Sequence, residues 1–374
     1  MKLHEYQAKD LFEAASIQTP KRVLIEHVDQ LEKALDAVTL PCVLKAQVLR
    51  GGRGKAGLIK FVKTQEEAKE AAEMLFNHPD QIKHVLVEAA VDFERELYVS
   101  ITVDASAASG LLIVSNEGGI DIETLAAEQP EKLIQKRFNF TEGLMPFLAS
   151  EVAYQLGFDK AKAKPFIKVL LALYDVFAKH DAELVEINPL FLTKDGEFVA
   201  GDGKVSIDDN ALFRQPQFEK GLGDYKTEAE YEAAQEGIPF IEFDGDISLM
   251  CAGAGLTTTV YDLVNYEGGS VANYLEFGGP NYKKALKAME ICLKVPSKVI
   301  LVVTFGTIAR ADVMAEGIVD AIQRLKPDRP IVTCIRGTNE EGATKTLRDA
   351  GLEPLFDTEE AVKKAVALAK EDAS

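Results

Sequence analysis

The first part of the chain changes between strand-like and helix-like spacing of apolar residues, in no regular order. Strands are predicted at Cys42 to Val48, Ala56 to Val62, Val85 to Ala89, Glu96 to Val103, Leu111 to Ser115, Ala182 to Leu192 and Glu197 to Val205. Thr64 opens a predicted helix from Gln65 to Phe76, with Glu67 in the capping-box position. Because several neighbouring strands are expected to be antiparallel, this part is predicted to be an α+β domain.

The second part alternates the two patterns regularly. Strands are predicted at Ile247 to Cys251, Val271 to Phe277, Val299 to Phe305 and Ile331 to Ile335. Helices are predicted at Leu256 to Asn265, Tyr282 to Leu293, Ala309 to Leu325, Glu341 to Asp349 and Ala361 to Lys370. This order predicts an α/β domain with a parallel sheet covered on both faces. A polar connector between Gln215 and Pro239 places the boundary near Gly237, so the predicted domains are residues 1–237 and 238–374.

Composition narrows the class of protein. The chain has 374 residues, 47% of them hydrophobic, and a formal net charge of -18, which disfavours binding to nucleic acid or anionic lipid. Its four cysteines lie far apart, so neither a disulfide framework nor a zinc site is expected. No apolar segment is long enough to span a bilayer or to form a signal peptide. We expect a cytoplasmic protein, or a mitochondrial matrix protein if a transit peptide has been removed.

A buried lysine and a glycine-rich loop form the first candidate site. Lys45 stands inside an apolar strand, where its ammonium needs either a bound anion or a partner carboxylate. The loop that follows contains Gly52, Arg53 and Gly54, and glycines let backbone N–H groups approach phosphates. The spacing is not that of G-x-x-x-x-G-K-[ST], and the loop opens a strand. The sequence is therefore compatible with either a phosphate-binding loop or a surface hairpin without a ligand.

Two carboxylates on later strands are weaker candidates. Glu88 ends a predicted strand, and Glu96 begins the next one. The carboxylate of Glu88 could accept hydrogen bonds from an adenine amine or a ribose hydroxyl. Solvated strand-edge carboxylates would look the same in sequence.

A hairpin near residue 195 suggests a metal site. The Asp195-Gly196 pair is a strong hairpin signal, and reflection about Asp195 places Asn188 opposite Asp202. Opposed side chains have Cβ atoms roughly 5 Å apart. One amide oxygen and one carboxylate at that separation suit Mg²⁺, which completes its shell with water and phosphates. Alternation along the strand places Glu186 on the same face as Asn188, and a polar, solvated hairpin face is the alternative.

Two strand–glycine–helix junctions in the second part suggest anion sites. They are Cys251 to Leu256 and Phe305 to Arg310. Such junctions present helix N-termini at the carboxyl edge of a parallel sheet. Helix packing alone could also explain the glycines. None of the five histidines lies at a glycine junction or beside a carboxylate cluster, so no nucleophile–histidine signature is visible.

Taken together, these motifs resemble the β subunit of succinyl-CoA synthetase, nearly from end to end. The matching segments are Leu3 to Lys9, Lys45 to Gly57, Val87 to Ala90, Glu96 to Tyr98, Glu117 to Gly119, Glu186 to Leu190 and Asp209 to Arg214. The resemblance implies an ATP-grasp fold followed by a flavodoxin-like (Rossmann-type) CoA-ligase domain. It also implies an acid–thiol ligase, succinate–CoA ligase (ADP-forming), that couples nucleoside triphosphate hydrolysis or synthesis to acyl-CoA formation.

The resemblance also implies a set of site residues. The nucleotide would be held at the positions listed here: Lys45, Gly52, Arg53, Gly54, Glu88, Val91 (through its backbone) and Glu96. Asn188 and Asp202 would hold Mg²⁺. Glu186 would steady a phosphohistidine that, with the CoA site, belongs to an α subunit. The acid would be bound at Ala252, Thr307, Ile308 and Ala309. ATP or ADP is expected, with GTP left open, as are αβ and α₂β₂ assemblies.

Three departures from the family pattern lie in the second part. Ala252 stands where the family usually has asparagine. In the segment that usually reads Gly-Gly-Ile-Val, Thr307 replaces the second glycine and Ala309 replaces valine. Pro280-Asn281 replaces Gly-Ala. Proline at 280 removes a backbone donor. We therefore expect unchanged phosphoryl chemistry with an altered acid pocket, and malate or another short dicarboxylate is an alternative to succinate.

Two other classes of protein share some of these sequence features. A non-catalytic, nucleotide-binding regulatory subunit would have lost its reactive residues, whereas Lys45, Glu186, Asn188 and Asp202 are all present. A nicotinamide-dependent dehydrogenase would rest only on the glycines around Gly253, which lack the third glycine of the dinucleotide fingerprint. The catalytic reading is the one that the residues favour.

Overall fold

The computed structural model describes residues 1–49, 52–120, 122–278, 283–306 and 309–371. The chain divides into two compact units, Met1–Glu219 and Lys220–Ser374. The division falls earlier than the boundary predicted near Gly237. The reason is that the connector is not a free linker: Ala229, Ala233 and Ile238 are buried in the core of the second unit.

The first unit contains two antiparallel sheets, as the α+β prediction required. Its elements are α1 (Glu5–Ala14), β1 (Arg22–Ile25), α2 (Leu31–Val38), β2 (Cys42–Ala46), β3 (Ile59–Val62), α3 (Gln65–Phe76), β4 (Val85–Ala89), β5 (Phe93–Asp104), β6 (Ser109–Ser115), α4 (Ile122–Glu128), β7 (Leu133–Phe138), α5 (Pro146–Gln155), α6 (Lys160–Lys179), β8 (Ala182–Thr193), β9 (Phe198–Ala200) and β10 (Lys204–Ile207). A four-stranded sheet has the order β1-β4-β2-β3, and a six-stranded sheet has the order β10-β8-β5-β6-β7 with β9 beside β8.

Each sheet packs against its own helices. Apolar residues of α2 and α3 cover the four-stranded sheet, and those of α1, α5 and α6 cover the six-stranded sheet. The α3 helix begins as predicted, because the Thr64 side chain accepts a hydrogen bond from the Glu67 N–H at 3.2 Å. The buried residues of α1 are Glu5, Ala8, Lys9 and Phe12. Two charged side chains therefore lie on the buried stripe of this helix, which needs an electrostatic explanation.

The second unit is a doubly wound parallel sheet with one antiparallel edge strand. Its elements are α7 (Glu228–Gln235), β11 (Phe240–Glu242), β12 (Ile247–Ala252), α8 (Ala254–Tyr266), β13 (Val271–Leu275), α9 (Ala285–Lys294), β14 (Val299–Gly306), α10 (Ala311–Leu325), β15 (Ile331–Gly337), α11 (Glu340–Asp349) and α12 (Thr358–Glu371). The sheet order is β11-β13-β12-β14-β15. Without its edge strand this is the flavodoxin-like order, with a topological switch point between β12 and β14.

Each predicted strand and helix overlaps an observed element, and one predicted strand is divided in two. The strands β1, β7 and β11 and the helices α1, α2 and α4 to α6 were not predicted. Glu197 to Val205 was predicted as one strand, but the structure interrupts it between β9 and β10. Gly201 and Gly203 flank Asp202 in this break, where a Cβ on Gly201 would lie 2.2 Å from the Phe191 ring and one on Gly203 would lie 2.6 Å from Phe12. All four cysteines are free and buried. Among the described helices, none has the length and apolar character that a membrane crossing requires.

Candidate functional site

The hairpin register that the sequence predicted is confirmed. Leu190 pairs with Ala200 on one side of the strand break, and Glu186 pairs with Lys204 on the other. The same register across the break places Asn188 opposite Asp202. Asp202 itself lies in the break between β9 and β10, where its backbone is free of the ladder.

Two buried lysines share one set of acceptors at the centre of the first unit. Lys45 Nζ donates to Glu5 Oε1 at 2.9 Å, to Glu88 Oε1 at 2.7 Å and to the Gly201 carbonyl at 2.6 Å. Lys9 Nζ contacts Glu5 Oε1 at 2.8 Å, the Gly201 carbonyl at 2.9 Å and Glu88 Oε2. Of the two partners considered for Lys45, a bound anion or a carboxylate of the protein, the structure has carboxylates, those of Glu5 and Glu88.

Burial and charge act against each other on these groups. Desolvation lowers the pKa of Lys9 despite its carboxylate neighbours. Desolvation also works to lower the pKa of Lys45, but the carboxylates of Glu5 and Glu88 outweigh it, so that pKa is raised. Desolvation works to raise the pKa of Glu5, but the nearby cations hold it well below its ordinary value. The neighbouring opposite charges therefore favour the ionised forms of Lys45 and Glu5.

Arg53 links the glycine loop to this cluster and to the predicted metal ligand. Its Nη2 donates to both oxygens of Asp202, at 2.7 and 2.8 Å. Its Nη1 lies 2.7 Å from Glu5 Oε2, as an ion pair without hydrogen-bond geometry. Desolvation works to lower the pKa of Arg53, and the two carboxylates together raise it above its ordinary value. Arg53 therefore holds Asp202 with one end of its guanidinium and Glu5 with the other.

The glycine loop forms consecutive turns between β2 and β3. The Ala56 N–H donates to the Gly52 carbonyl at 3.1 Å, and the Leu58 N–H donates to the Arg53 carbonyl at 3.0 Å. Gly52 has a φ of 73°, which favours glycine. A Cβ on Gly52 or Gly54 would meet nothing within 4 Å in the described chain. The loop thus leaves space beside its backbone that a phosphate could occupy.

Glu186 is held by a tyrosine of the neighbouring strand. The Tyr98 hydroxyl donates to Glu186 Oε2 at 3.0 Å. Desolvation raises the pKa of Glu186, opposed by Lys204, while Asp202 adds to the increase. Desolvation is also the main cause of a raised pKa at Tyr98. Glu186 is therefore oriented by its neighbour and close enough to Asp202 for their charges to interact.

The remaining predicted nucleotide residues lie further along the same unit. Val91 is half-buried between β4 and β5, and Glu96 lies on β5. Desolvation raises the pKa of Glu96. A Cβ on Gly119 would lie 3.0 Å from Glu96 Oε2, so this carboxylate faces the loop after β6. The Glu88 carboxylate, by contrast, is buried against the two lysines, so its predicted hydrogen bond to adenine or ribose would require that pairing to break.

The two predicted metal ligands are engaged by the protein itself. Asn188 Oδ1 accepts from the Gly119 N–H at 2.7 Å, and Asn188 Nδ2 donates to the Ile120 carbonyl at 3.0 Å. Asp202 is engaged by Arg53. Both side chains supply the oxygen donors that Mg²⁺ prefers. Within the described residues, no group of three or more His, Cys, Asp or Glu side chains could hold a metal, so phosphate oxygens and water would have to complete the shell.

In the second unit, two of the residues that depart from the family pattern, Ala252 and Ala309, lie within the described residues. Ala252 ends β12 and is opposite Thr304 of β14. A Cβ on Gly278 would lie 2.9 Å from the Ala252 Cα. Ala309 is half-buried after β14, whereas Thr307, Ile308, Pro280 and Asn281 lie outside the described residues. The carboxyl edge of the sheet at Ala252 is its switch point, where α/β folds bind their ligands.

The α8 helix begins at this edge without a capping side chain. Gly253 is its N-cap residue, with a φ of 103° that favours glycine. The Thr257 hydroxyl donates back to the Gly253 carbonyl at 2.9 Å. The first N–H groups of the helix therefore form a positive end beside Ala252, which suits an anionic acid.

Sequence reasoning missed three residues of the first unit: Glu5, Lys9 and Tyr98. Glu5 and Lys9 were noted only as part of a matching segment. Their i,i+4 spacing beside Ala8 and Phe12 places two charges on an apolar helix stripe, and that conflict was the available signal. Tyr98 also lies in a matching segment, Glu96 to Tyr98, but a tyrosine in a buried strand is most often part of the core.

Each unit matches the model of a known domain family. An ATP-grasp domain model matches residues 2–192, and a CoA-ligase model matches residues 250–368. The chain is 61% identical to the ADP-forming sulfoacetate-CoA ligase subunit SqwK of Acholeplasma sp, over 99% of this chain and 92% of that subunit. It is 56% identical to the ADP-forming sulfoacetate-CoA ligase subunit SauC of Bilophila wadsworthia, over 99% of each.

Identity to a succinate enzyme is lower. The β subunit of the ADP-forming succinate–CoA ligase of Ignicoccus hospitalis is 42% identical, over 99% of this chain and 100% of that subunit. The matches thus support the predicted fold and ligase class but not a specific succinyl-CoA synthetase. The chain belongs to the family of ADP-forming acid–CoA ligase subunits, with an ATP-grasp domain followed by a CoA-ligase domain.

Proposed function

We propose that this chain is the nucleotide-binding subunit of an ADP-forming ligase that joins sulfoacetate to coenzyme A. The observation that carries the proposal is the difference in identity: 61% and 56% to subunits named for sulfoacetate, against 42% to one named for succinate. The departures at Ala252, Thr307 and Ala309 support it, because they fall where the family resemblance puts the acid.

The chemistry of the two acids supports a changed pocket. Both acids carry a carboxylate that can be joined to CoA, and they differ in the second acidic group. In sulfoacetate this group is a tetrahedral sulfonate with three oxygens, and in succinate it is a planar carboxylate with two. A sulfonate is bulkier and accepts hydrogen bonds in three directions. Alanine at 252 removes the volume of an asparagine amide and leaves the α8 N-terminus to meet the anion with backbone N–H groups. Malate or another short dicarboxylate is the second candidate, supported by the resemblance to the succinate enzyme.

We propose that ATP or ADP, bound with Mg²⁺, lies in the first unit. Gly52 and Gly54 would approach the phosphates with their backbone, and Arg53 and Lys45 would supply charge. Val91 and Glu96 would contact the rest of the nucleotide. Mg²⁺ would be held by Asn188 and Asp202 and would neutralise charge on the phosphates. Arg53 releases Asp202 for this role, and Glu5 still holds the guanidinium.

The partner is proposed to be an α subunit that carries a phosphohistidine and binds CoA. Relatives are named as subunits, which supports a two-chain enzyme. Glu186 would accept a hydrogen bond from the imidazole of the partner and fix its orientation. The hydrogen bond from Tyr98 leaves Glu186 one oxygen for that task.

An acid panel tests the substrate. The complex of this chain with its partner subunit is assayed for ADP formation with sulfoacetate, succinate, malate and acetate, each with ATP and then with GTP. We expect kcat/KM for sulfoacetate to exceed that for succinate by roughly tenfold or more. A preference for succinate or malate would reject the sulfoacetate proposal and leave the ligase class intact.

Mass spectrometry separates catalysis from a regulatory role. After incubation of the complex with MgATP, we expect a phosphorylated histidine on the partner subunit. Without MgATP, we expect none. A complex that binds MgATP but never phosphorylates the partner would support the regulatory class instead.

A further inference from the structure

Lys9 is not one of the residues proposed to bind the nucleotide, yet its ammonium lies inside the buried cluster that holds Lys45. An ammonium has three donors. The three donors of Lys45 are taken by Glu5, Glu88 and the Gly201 carbonyl, and Lys9 contacts the same three groups. Lys45 therefore cannot reach a phosphate without giving up a partner that Lys9 also contacts.

The two lysines differ in access. The Lys9 side chain is 0% exposed and the Lys45 side chain is 8% exposed. Lys9 comes from α1, and Lys45 comes from β2, the strand that leads into the glycine loop. Only Lys45 is placed to move between the cluster and a ligand, while Lys9 stays enclosed.

The cost of that movement depends on Lys9. If Lys45 were the sole lysine, its departure would leave Glu88 without a cation and Glu5 with Arg53 alone, and a buried carboxylate without a cation is strongly unfavourable. With Lys9 present, both carboxylates and the Gly201 carbonyl keep an ammonium partner. The cluster can then release Lys45 at a small electrostatic cost.

We propose that Lys9 is a positioning residue that holds Glu5, Glu88 and the Gly201 carbonyl in place while Lys45 transfers its hydrogen bonds to a nucleotide phosphate. This inference rests on the proposed nucleotide-binding role of Lys45. It assigns α1, the N-terminal helix, a part in nucleotide affinity, although Lys9 never touches the nucleotide. Lys9 in a purely structural role would stabilise the unit without affecting the exchange.

The test measures MgADP affinity by isothermal titration calorimetry on the complex of the full chain and its partner subunit. Lys9→Met leaves one ammonium for two carboxylates, so Lys45 is held more tightly. Lys9→Met combined with Glu5→Gln restores the balance of charge, because Lys45 keeps Glu88 and Arg53 keeps Asp202. Lys69→Met removes one positive charge from the exposed face of α3 and serves as the matched control. Melting temperatures are recorded for every variant.

We expect Lys9→Met to weaken MgADP binding by roughly tenfold or more, and the double variant to recover to within about threefold of the unsubstituted complex. Lys69→Met should bind as the unsubstituted complex does. The proposal is overturned if folded Lys9→Met binds within twofold of the unsubstituted complex, or if the double variant is as weak as the single one.

If Lys9→Met does not fold, Glu5→Gln decides. In that variant the two ammoniums share only the Glu88 carboxylate, so Lys45 is freer and MgADP should bind at least as tightly as before. A tenfold loss would instead show that Lys45 needs both carboxylates for nucleotide binding, and it would overturn the proposal. If the unsubstituted complex does not bind MgADP at all, the nucleotide role of this unit fails, and the inference falls with it.

Discussion

The two units build their proposed sites from different materials. The first unit uses charged side chains, three cations and three carboxylates, which are buried or half-buried and paired with one another. The second unit uses backbone and small side chains at a sheet edge, where Ala252, Gly253 and Gly278 lie together. A change of one side chain in the first set alters the balance of charge in a buried cluster.

This difference explains where the chain departs from its family. Phosphate and Mg²⁺ chemistry is the same for every acid, and it depends on fixed charges. Acid recognition at a helix N-terminus depends on backbone N–H groups, which survive a change of side chain. A new acid can therefore be accepted through substitutions such as the one at Ala252, with no rebuilding of the charged cluster. The predictions below test that separation.

The largest expected effect is at Asp202. Asp202→Ala removes a proposed Mg²⁺ ligand, so partner phosphorylation with MgATP should fall by roughly 10³-fold. The fold should persist, because Arg53 keeps its ion pair with Glu5. Radiolabelled phosphoryl transfer measures the loss. Asp195→Ala, at the exposed hairpin turn, is the control, and full activity of Asp202→Ala with Mg²⁺ would contradict the hairpin assignment.

Glu186→Gln should slow partner phosphorylation by roughly 10²-fold, because the imidazole loses a charged partner. MgADP affinity should change by less than about threefold. Rapid-quench kinetics and calorimetry measure the two quantities. Glu183→Gln, an exposed position on the same strand, is the control. An equal loss in rate and nucleotide affinity would count against an orienting role.

Ala252→Asn restores the side chain usual in the succinate family and should act on the second unit alone. We expect the ratio of kcat/KM for sulfoacetate to that for succinate to fall by about tenfold, since one pocket contact commonly has an effect of this size. MgADP affinity should not change. If the acid ratio stays constant, Ala252 does not contact the acid, and the explanation of the departures fails at that position.

The smallest expected effect is at Tyr98. Tyr98→Phe removes one hydrogen bond to Glu186 and should lower the phosphorylation rate by about fivefold, a loss of about 1 kcal/mol. Nucleotide affinity and melting temperature should change little. Tyr154→Phe, at an exposed position of α5, is the matched control. A rate equal to that of the unsubstituted complex would mean that other contacts orient Glu186.

Much of the fold could be predicted because local patterns agreed with it. The alternation of strands and helices predicted the parallel sheet of the second unit, and the Asp195-Gly196 turn predicted the hairpin register. The break between β9 and β10 was not predicted, and the Phe191 and Phe12 rings that approach Gly201 and Gly203 there belong to other elements, β8 and α1. Local propensity carries no information on such contacts.

The site was predicted only in part for the same reason. Lys45 was identified as a lysine in need of an anion, but its partners come from α1, β4 and the break before β10. Only the tertiary fold brings these segments together. The division of the chain after Glu219 was not predicted, because a polar composition does not reveal that Ala229 and Ala233 are buried.

A crystal structure of the chain with MgADP tests the central claim most directly. We expect the phosphates against Gly52 and Gly54, with Lys45 turned toward phosphate oxygens. Arg53 should have turned from Asp202 toward phosphate while keeping Glu5, and Mg²⁺ should be bound to Asn188 and Asp202. Nucleotide bound elsewhere, with the Arg53–Asp202 and Lys45–Glu88 pairs unchanged, would contradict the account.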